Sequence, residues 1–309
     1  MSNMDSTKDN EAFQRDMRKD SSRAMYNNLM WWATGQHEFY QNEVDRAFST
    51  LDDIFLNYYK DEFFIRLLED KKFYRARTID VQDNCLKNCG LNYNEQRFFG
   101  FNRDESKEPP AEFAHEGRMS SEGEVALYLA DDEITACAEV RPKIRQLVSV
   151  AKFRLSQNID ILDFSKRKYS IPLNTNDSKY NADVRYLLSK VLFLFTKPIY
   201  DSKDYIVTQK IAKYYREKGI KGFAYKSFYS NGINYTFFDE YMKLFDWEDS
   251  RVLLNYTTSN QFLSLDTGEY RKDIDNLYMM DNKPDEQCMR DIIRQTRDIF
   301  DSDKCTTNG

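Results

Sequence analysis

Three residues in one short stretch have the types and spacing to do chemistry together: Arg118, Tyr128 and Glu139. Arg118 follows Gly117 in a loop, Tyr128 lies in the apolar run from Val125 to Ala130, and Glu139 comes late in the segment that follows. A guanidinium grips a pyrophosphate, a ring stacks on a flat ring, and a carboxylate stabilises a developing cation. Ordinary surface loops and solvated helix ends carry the same residue types, so on chemistry alone both readings stand.

The elements that must position these groups are legible. Val125 to Ala130 has the length and apolarity of a strand. Asp131 and Asp132 suit the cap of a following helix, and Glu133 suits its positive N-terminal end. Pro142 disfavours helical geometry at Arg141, so the helix should stop there.

A second pair of cations lies upstream. Phe73-Tyr74-Arg75-Ala76-Arg77 reads as a strand. Side chains alternate along a strand, so Arg75 and Arg77 share one face and Tyr74 and Ala76 the other. Two arginines on one face make either an exposed edge or the lining of an anion pocket. Residues 81–116 carry Gly90, Gly100, Pro109 and Pro110 as breakers. A loop of that length often serves as a lid or binding loop.

Composition narrows the class. With 22 Phe and 21 Tyr in 309 residues, the chain has the apolar surface for a real core. A net charge of −6 gives no support for direct nucleic-acid or membrane binding. No apolar run approaches bilayer length and the N-terminus is polar, so a cytoplasmic protein is expected. Five cysteines, an odd number, fit a reducing compartment. Cys85 and Cys89 form a C-x3-C pair without two further ligands nearby, and no metal site is expected.

Four segments follow: a mobile polar tail over 1–24, a helical segment over 25–70, a catalytic domain over 71–270, and a C-terminal helix and tail over 271–309. From Met25 to about Leu68, Phe39, Val44, Phe48, Leu51, Ile54, Phe55, Tyr58 and Tyr59 recur at helical spacing. That segment is either a layer packed on the main domain or a regulatory or oligomerising module. Strands are expected over 147–155, 159–164 and 251–256, and helices over 186–195 and 284–300. Residues 165–178 read as a surface loop. The run from Tyr205 gives a helix with Val207, Ile211, Tyr214 and Tyr215 in its stripe and Gly219 as C-cap. Gln209 sits early on it, facing either solvent or a pocket. Gly222 to Lys226 is a buried strand ending at the Ser227 hydroxyl, and Asn231-Gly232 turns it into a returning strand over 233–238.

Four blocks, in order, resemble the RES domain family, named for an arginine, a glutamate and a serine. They are Phe73-Tyr74-Arg75, the Gly117 to Val140 stretch, Tyr205 to Gln209, and Gly222 to Ser227 with Asn231 to Asn234. The resemblance covers roughly residues 70–240. It implies an α+β fold with a mixed sheet like that of ADP-ribosyltransferase toxins, here preceded by the N-terminal helical segment. It also implies NAD+ as substrate, broken at the nicotinamide glycosidic bond, with inorganic phosphate as co-substrate favoured over water. A toxin or anti-phage defence effector that depletes NAD+ is the role expected, with an antitoxin or regulatory protein as partner and a homo-oligomer through the helices as a further expectation. The long helical segment and the roughly 70 residues after the last block depart from the compact toxins. A protein ADP-ribosyltransferase using the same cleft and a catalytically silent interaction module are the alternatives.

Carried over residue by residue, the resemblance makes Arg75 the family arginine on the NAD+ phosphates, with Arg77 its rival, and Arg118 a second anion clamp. Tyr128 packs on the nicotinamide ring or its ribose. Glu139 bonds that ribose and stabilises the oxocarbenium-like charge, Ser227 orients Glu139 or the ribose, and Gln209 and Asn234 line the site.

Overall fold

In the computed structural model, which describes residues 21–35, 37–79, 91–92, 97–98, 100–144, 146–165, 178–198, 205–255 and 262–264, the apolar periodicities become helices and strands in mixed order. Helix α1 spans 21–34 and ends at Gly35, whose φ of 67° is left-handed. Helix α2 (Gln41–Asp52) buries Val44, Ala47, Phe48 and Leu51, and a π-helical turn over Asp53–Tyr58 carries the apolar face on to Ile54 and Phe55. There follow α3 (Lys60–Phe63), β1 (Phe64–Leu67), β2 (Lys72–Ile79), β3 (Leu91–Asn92), β4 (Arg97–Phe98), α4 (Arg103–Ser106), β5 (Ala126–Ala130), α5 (Glu133–Glu139), β6 (Leu147–Leu155) and β7 (Ile159–Asp163). The chain continues with α6 (Ser178–Thr196), α7 (Ile206–Glu217), β8 (Gly222–Lys226), β9 (Ile233–Phe238), β10 (Phe245–Asn255) and β11 (Phe262–Ser264). Mixed helices with mainly antiparallel pairing make this the α+β class expected.

Several boundaries move. Helix α1 takes in residues 21–24, which the sequence assigns to a tail. Phe64 to Leu67 forms a strand where the periodicity predicts helix, because β7 supplies an antiparallel partner with Phe64 opposite Leu162. Phe39 and Tyr58 are 39% and 75% exposed, so they leave the apolar face assigned to them. The long loop after β2 contains the β3–β4 hairpin and α4, the latter held by a capping box in which Asn102 accepts from the amides of Asp104 and Glu105. Strand β10 begins at Phe245, six residues before the expected start at 251. The helix expected over 284–300, and Cys85 and Cys89, lie outside the described residues.

The chain forms two compact units. The first contains the described residues up to Lys71, Glu108–Tyr128 and Leu155–Leu244. Its strands run in the order β1-β7-β8-β9, with β7 and β8 parallel and the other pairs antiparallel. Its core combines Leu29, Phe48, Leu51 and Phe55 from the N-terminal helices with Val191 and Phe195 of α6, Ile211 and Tyr215 of α7, and Phe223 of β8. The N-terminal helices are thus a layer of this unit, and the sequence-based division at about residue 70 cuts across one core. Burial of that many large side chains contributes about 1.5–3 kcal/mol each.

The second unit contains Lys72–Lys107, Leu129–Arg154 and the residues from Phe245. Here β2 pairs with β6 over its whole length, from Lys72 opposite Arg154 to Ile79 opposite Leu147, and Tyr74 of β2 also pairs with Ala130 of β5. Helix α5 packs on β2, burying Ala136 and Cys137 against Ala76, Val148 and Val150. The expected strand over 147–155 is present as β6, and it is buried on both faces except at Lys152 and Arg154, which are half-buried.

Candidate functional site

In the first unit the candidate residues gather around one tight turn. The Gly117 amide donates to the Ser120 carbonyl at 2.8 Å, and the Gly123 amide reaches back to the Ala114 carbonyl at 2.9 Å. Gly123, with φ of 78°, takes a left-handed conformation that suits glycine. Two neighbours on α7 fasten the turn. The Gln209 amide nitrogen donates to the Gly117 and Ser120 carbonyls at 2.9 and 3.1 Å, and the Thr208 hydroxyl donates to the Arg118 carbonyl at 2.6 Å. Gln209 is 8% exposed, so the solvent-facing alternative for it is out. Its buried donors are satisfied by the turn, as a buried amide requires.

Tyr128 fixes the same turn from below. Its hydroxyl accepts from the Met119 amide at 3.0 Å and shares a 2.9 Å hydrogen bond with the Ser120 hydroxyl. Burial of the hydroxyl pushes its pKa up to about 12, against smaller downward pulls from these two hydrogen bonds. The phenol is therefore neutral at physiological pH. Arg118 turns away from the loop: its two terminal nitrogens each donate at 2.9 Å, to the Leu194 and Lys197 carbonyls at the end of α6. These are carbonyls that a helix leaves unpaired at its C-terminus. Its guanidinium also lies 5.7 Å from the Tyr225 ring centre.

Ser227 and Asn234 are both buried, at the turn between β8 and β9 and opposite Tyr225 on β9. The Ser227 hydroxyl accepts from the Tyr229 and Ser230 amides at 3.1 Å each, and its own amide donates to the Gly232 carbonyl at 3.0 Å. It closes the turn that Asn231-Gly232 announces.

In the second unit the expected alternation of β2 decides the geometry. Arg75 donates to the Ser106 carbonyl at 3.2 Å and also to the Lys107 carbonyl, and Arg77 donates to that same Lys107 carbonyl at 3.1 Å. The two arginines share a face, as expected, and that face meets the segment ending at Lys107. Ser149, paired with Arg77 across the ladder, accepts the Phe101 amide at 2.8 Å on the same side. The other face of β2, with Tyr74 and Ala76, is the one covered by α5. Glu139, the last residue of α5, therefore belongs to the helix on the opposite side of β2 from Arg75 and Arg77.

The local sequence explains where α5 begins and ends. Of the two candidate caps, Asp132 is the one used: it accepts the Thr135 amide at 2.8 Å and its hydroxyl at 2.7 Å. The helix stops before Arg141, whose φ of 45° is left-handed, one residue before Pro142. Glu139 is half-buried. Cys137, on the inner face of the same helix, is fully buried, and burial pushes its thiol well above the usual range. Among the described residues no group of three or more His, Cys, Asp or Glu could hold a metal ion, and no helix is long and apolar enough to cross a membrane.

Three residues that organise the first unit's turn are not among those singled out from sequence: Gly117, Ser120 and Thr208. Gly117 carried a signal in its place directly before Arg118. Thr208 carried none beyond its neighbour Gln209, because its hydroxyl acts across 90 residues of chain.

A family model, described as the RES domain, matches residues 94–257, more than half of the 309 residues. Arg118, Tyr128, Glu139, Gln209, Ser227 and Asn234 fall inside the match, while Arg75 and Arg77 precede it. No curated protein matches. One similar solved structure is the M.tuberculosis MbcT-MbcA toxin-antitoxin complex, at 11% identity, covering 67% of this chain and 90% of that chain with a TM-score of 0.33.

Proposed function

The chain belongs to the RES domain family, and on that premise we propose that it is an NAD+-degrading enzyme that cleaves the nicotinamide glycosidic bond, by phosphorolysis in preference to hydrolysis. The observation that carries this reading is the family match over the stretch that contains Arg118, Tyr128 and Glu139. As the bond between the ribose carbon and the nicotinamide nitrogen breaks, its electron pair leaves with nicotinamide. Positive charge then develops on the ribose. The Glu139 carboxylate stabilises that charge, and a phosphate oxygen forms the new bond at the same carbon, giving ADP-ribose phosphate.

Tyr128 packs its neutral ring on the nicotinamide or its ribose, and Gln209 serves by keeping the turn beneath it closed. Ser227 and Asn234 orient the ribose from the β8–β9 hairpin. Arg118 contacts the phosphates by exchanging a main-chain carbonyl for a charged, stronger acceptor. Arg75 and Arg77 are assigned differently from the sequence expectation. Their shared carbonyl partner and their place on the face of β2 away from α5 support a role in holding the segment that ends at Lys107. Loss of NAD+ makes such an enzyme a toxin or defence effector, with an antitoxin or regulatory protein as its controlling partner.

Purified protein given NAD+ with and without inorganic phosphate, followed by mass spectrometry, tests the reading. ADP-ribose phosphate formed only with phosphate supports phosphorolysis. Free ADP-ribose formed without phosphate replaces it with hydrolysis. Label from NAD+ retained on a protein moves the assignment to an ADP-ribosyltransferase. No consumption of NAD+ under any of these conditions removes it.

A further inference from the structure

Helix α7 has two working sides within the first unit. One side carries Thr208 and Gln209, which fasten the Gly117–Ser120 turn. The other carries Lys210 and Tyr214, four residues apart and so aligned on one face, with Lys218 following at the helix's C-terminal cap. That face grips the N-terminal helices. The Lys210 ammonium donates to the Trp32 carbonyl at 3.2 Å, at the end of α1, and lies 4.9 Å from the Trp32 ring centre. The Tyr214 ring stacks on Phe48 of α2 at 4.0 Å between centroids, and its hydroxyl donates to Asp52 at 2.7 Å. Lys218 pairs with the same carboxylate at 2.5 Å and sits over the Tyr214 ring.

A helix transmits position well because it moves as a rigid body, and packed side chains shift between discrete arrangements. The N-terminal layer touches α7 through polar and aromatic contacts on one side. Thr208 and Gln209, the donors that hold the turn, sit on the other side of the helix, immediately before Lys210 and within two turns of Tyr214. We propose that the N-terminal helices position the Gly117–Ser120 turn through α7, with Lys210 and Tyr214 as the positioning residues. Neither side chain is among the hydrogen-bond partners of the turn. A ligand or partner that draws α1 or α2 away from α7 thereby loosens the turn on which Tyr128 is seated. The consequence for NAD+ turnover rests on the proposed function, whereas the coupling itself does not.

Hydrogen exchange separates the two. The amides of Gly117, Met119 and Gly123 each have a hydrogen-bond acceptor in or beside the turn, so they report its opening. Lys210→Met with Tyr214→Phe keeps the apolar bulk and the ring stack but removes the Lys210–Trp32 and Tyr214–Asp52 links, leaving the Lys218–Asp52 ion pair in place. Exchange at those three amides is expected to speed up by about tenfold, with KM for NAD+ raised more than kcat is lowered. Arg66→Gln, which removes an exposed ion pair with Asp160 elsewhere in the unit, is expected to change neither. Unchanged exchange in the turn, with acceleration confined to α1, α2 and α7, overturns the coupling. Equal acceleration in Arg66→Gln overturns it too, since the effect would then be general loosening. Faster exchange with an unaltered KM in an active enzyme overturns the positioning role. An enzyme inactive on NAD+ removes the proposed function, and the exchange result still decides the coupling.

Discussion

Gly117 and Tyr128 compete for one volume: a Cβ at residue 117 would lie 2.5 Å from the Tyr128 hydroxyl oxygen and 2.8 Å from the ring carbon that bears it. The backbone at 117 must approach the phenol so closely because the Met119 amide and Ser120 hydroxyl both bond that oxygen. Gly117→Ala is therefore expected to destabilise the protein by about 1–3 kcal/mol, the usual cost of overpacking a fixed site. Thermal unfolding of Gly117→Ala, Tyr128→Phe and the double variant checks this. The double variant should lose less than the sum, though the ring carbon keeps the relief partial.

The Tyr128 pKa, raised to about 12 by burial, also predicts a pH dependence. A group whose folded pKa lies above its unfolded value of about 10 stabilises the fold below pH 10 and loses that contribution as pH rises toward 12. The wild-type urea midpoint should fall over this range. Tyr26, Tyr214 and Tyr215 are raised as well, so Tyr128→Phe should fall too, but less steeply. Identical slopes for wild type and Tyr128→Phe would show that Tyr128 ionises freely in the folded state.

Glu139→Gln keeps the shape of a half-buried side chain at a helix end and removes only its charge. NAD+ turnover is expected to drop by about 10²–10³, the cost of one preorganised electrostatic group, with little change in melting temperature. Near-normal turnover would exclude a charge-stabilising role for Glu139.

Arg75 and Arg77 share the Lys107 carbonyl, so their contributions to stability should overlap. Arg75→Gln and Arg77→Gln are each expected to cost about 1–2 kcal/mol, and the double variant less than the sum. Well below the melting temperature, KM for NAD+ should stay within about twofold of wild type. A rise of tenfold or more in Arg75→Gln alone would return that residue to the phosphates.

Cys137 should be inert in the native state, since its thiol is fully buried and its pKa is pushed upward by burial. Alkylation at neutral pH followed by peptide mapping should leave Cys137 unmodified until denaturant is added. Modification of the native protein at a rate like that of a free thiol would mean that α5 opens locally.

The local elements around the candidate residues were written in the chain. Asp132 capped α5, Pro142 ended it and Asn231-Gly232 turned β8 into β9, because caps and turns depend on neighbours within a few residues. The shared face of Arg75 and Arg77 was legible for the same reason. What that face meets was not, since the carbonyls of Ser106 and Lys107 arrive from about 30 residues away. Only the tertiary structure made Phe64 to Leu67 a strand, by bringing β7 alongside. It alone spent Arg118 on the end of α6 and Gln209 on the Gly117 turn, and merged the N-terminal helices into the core of the first unit. The deciding hydrogen bonds and packed surfaces join residues from about 30 to more than 90 positions apart, and no local pattern encodes which of the chain's many donors and apolar faces will find each other.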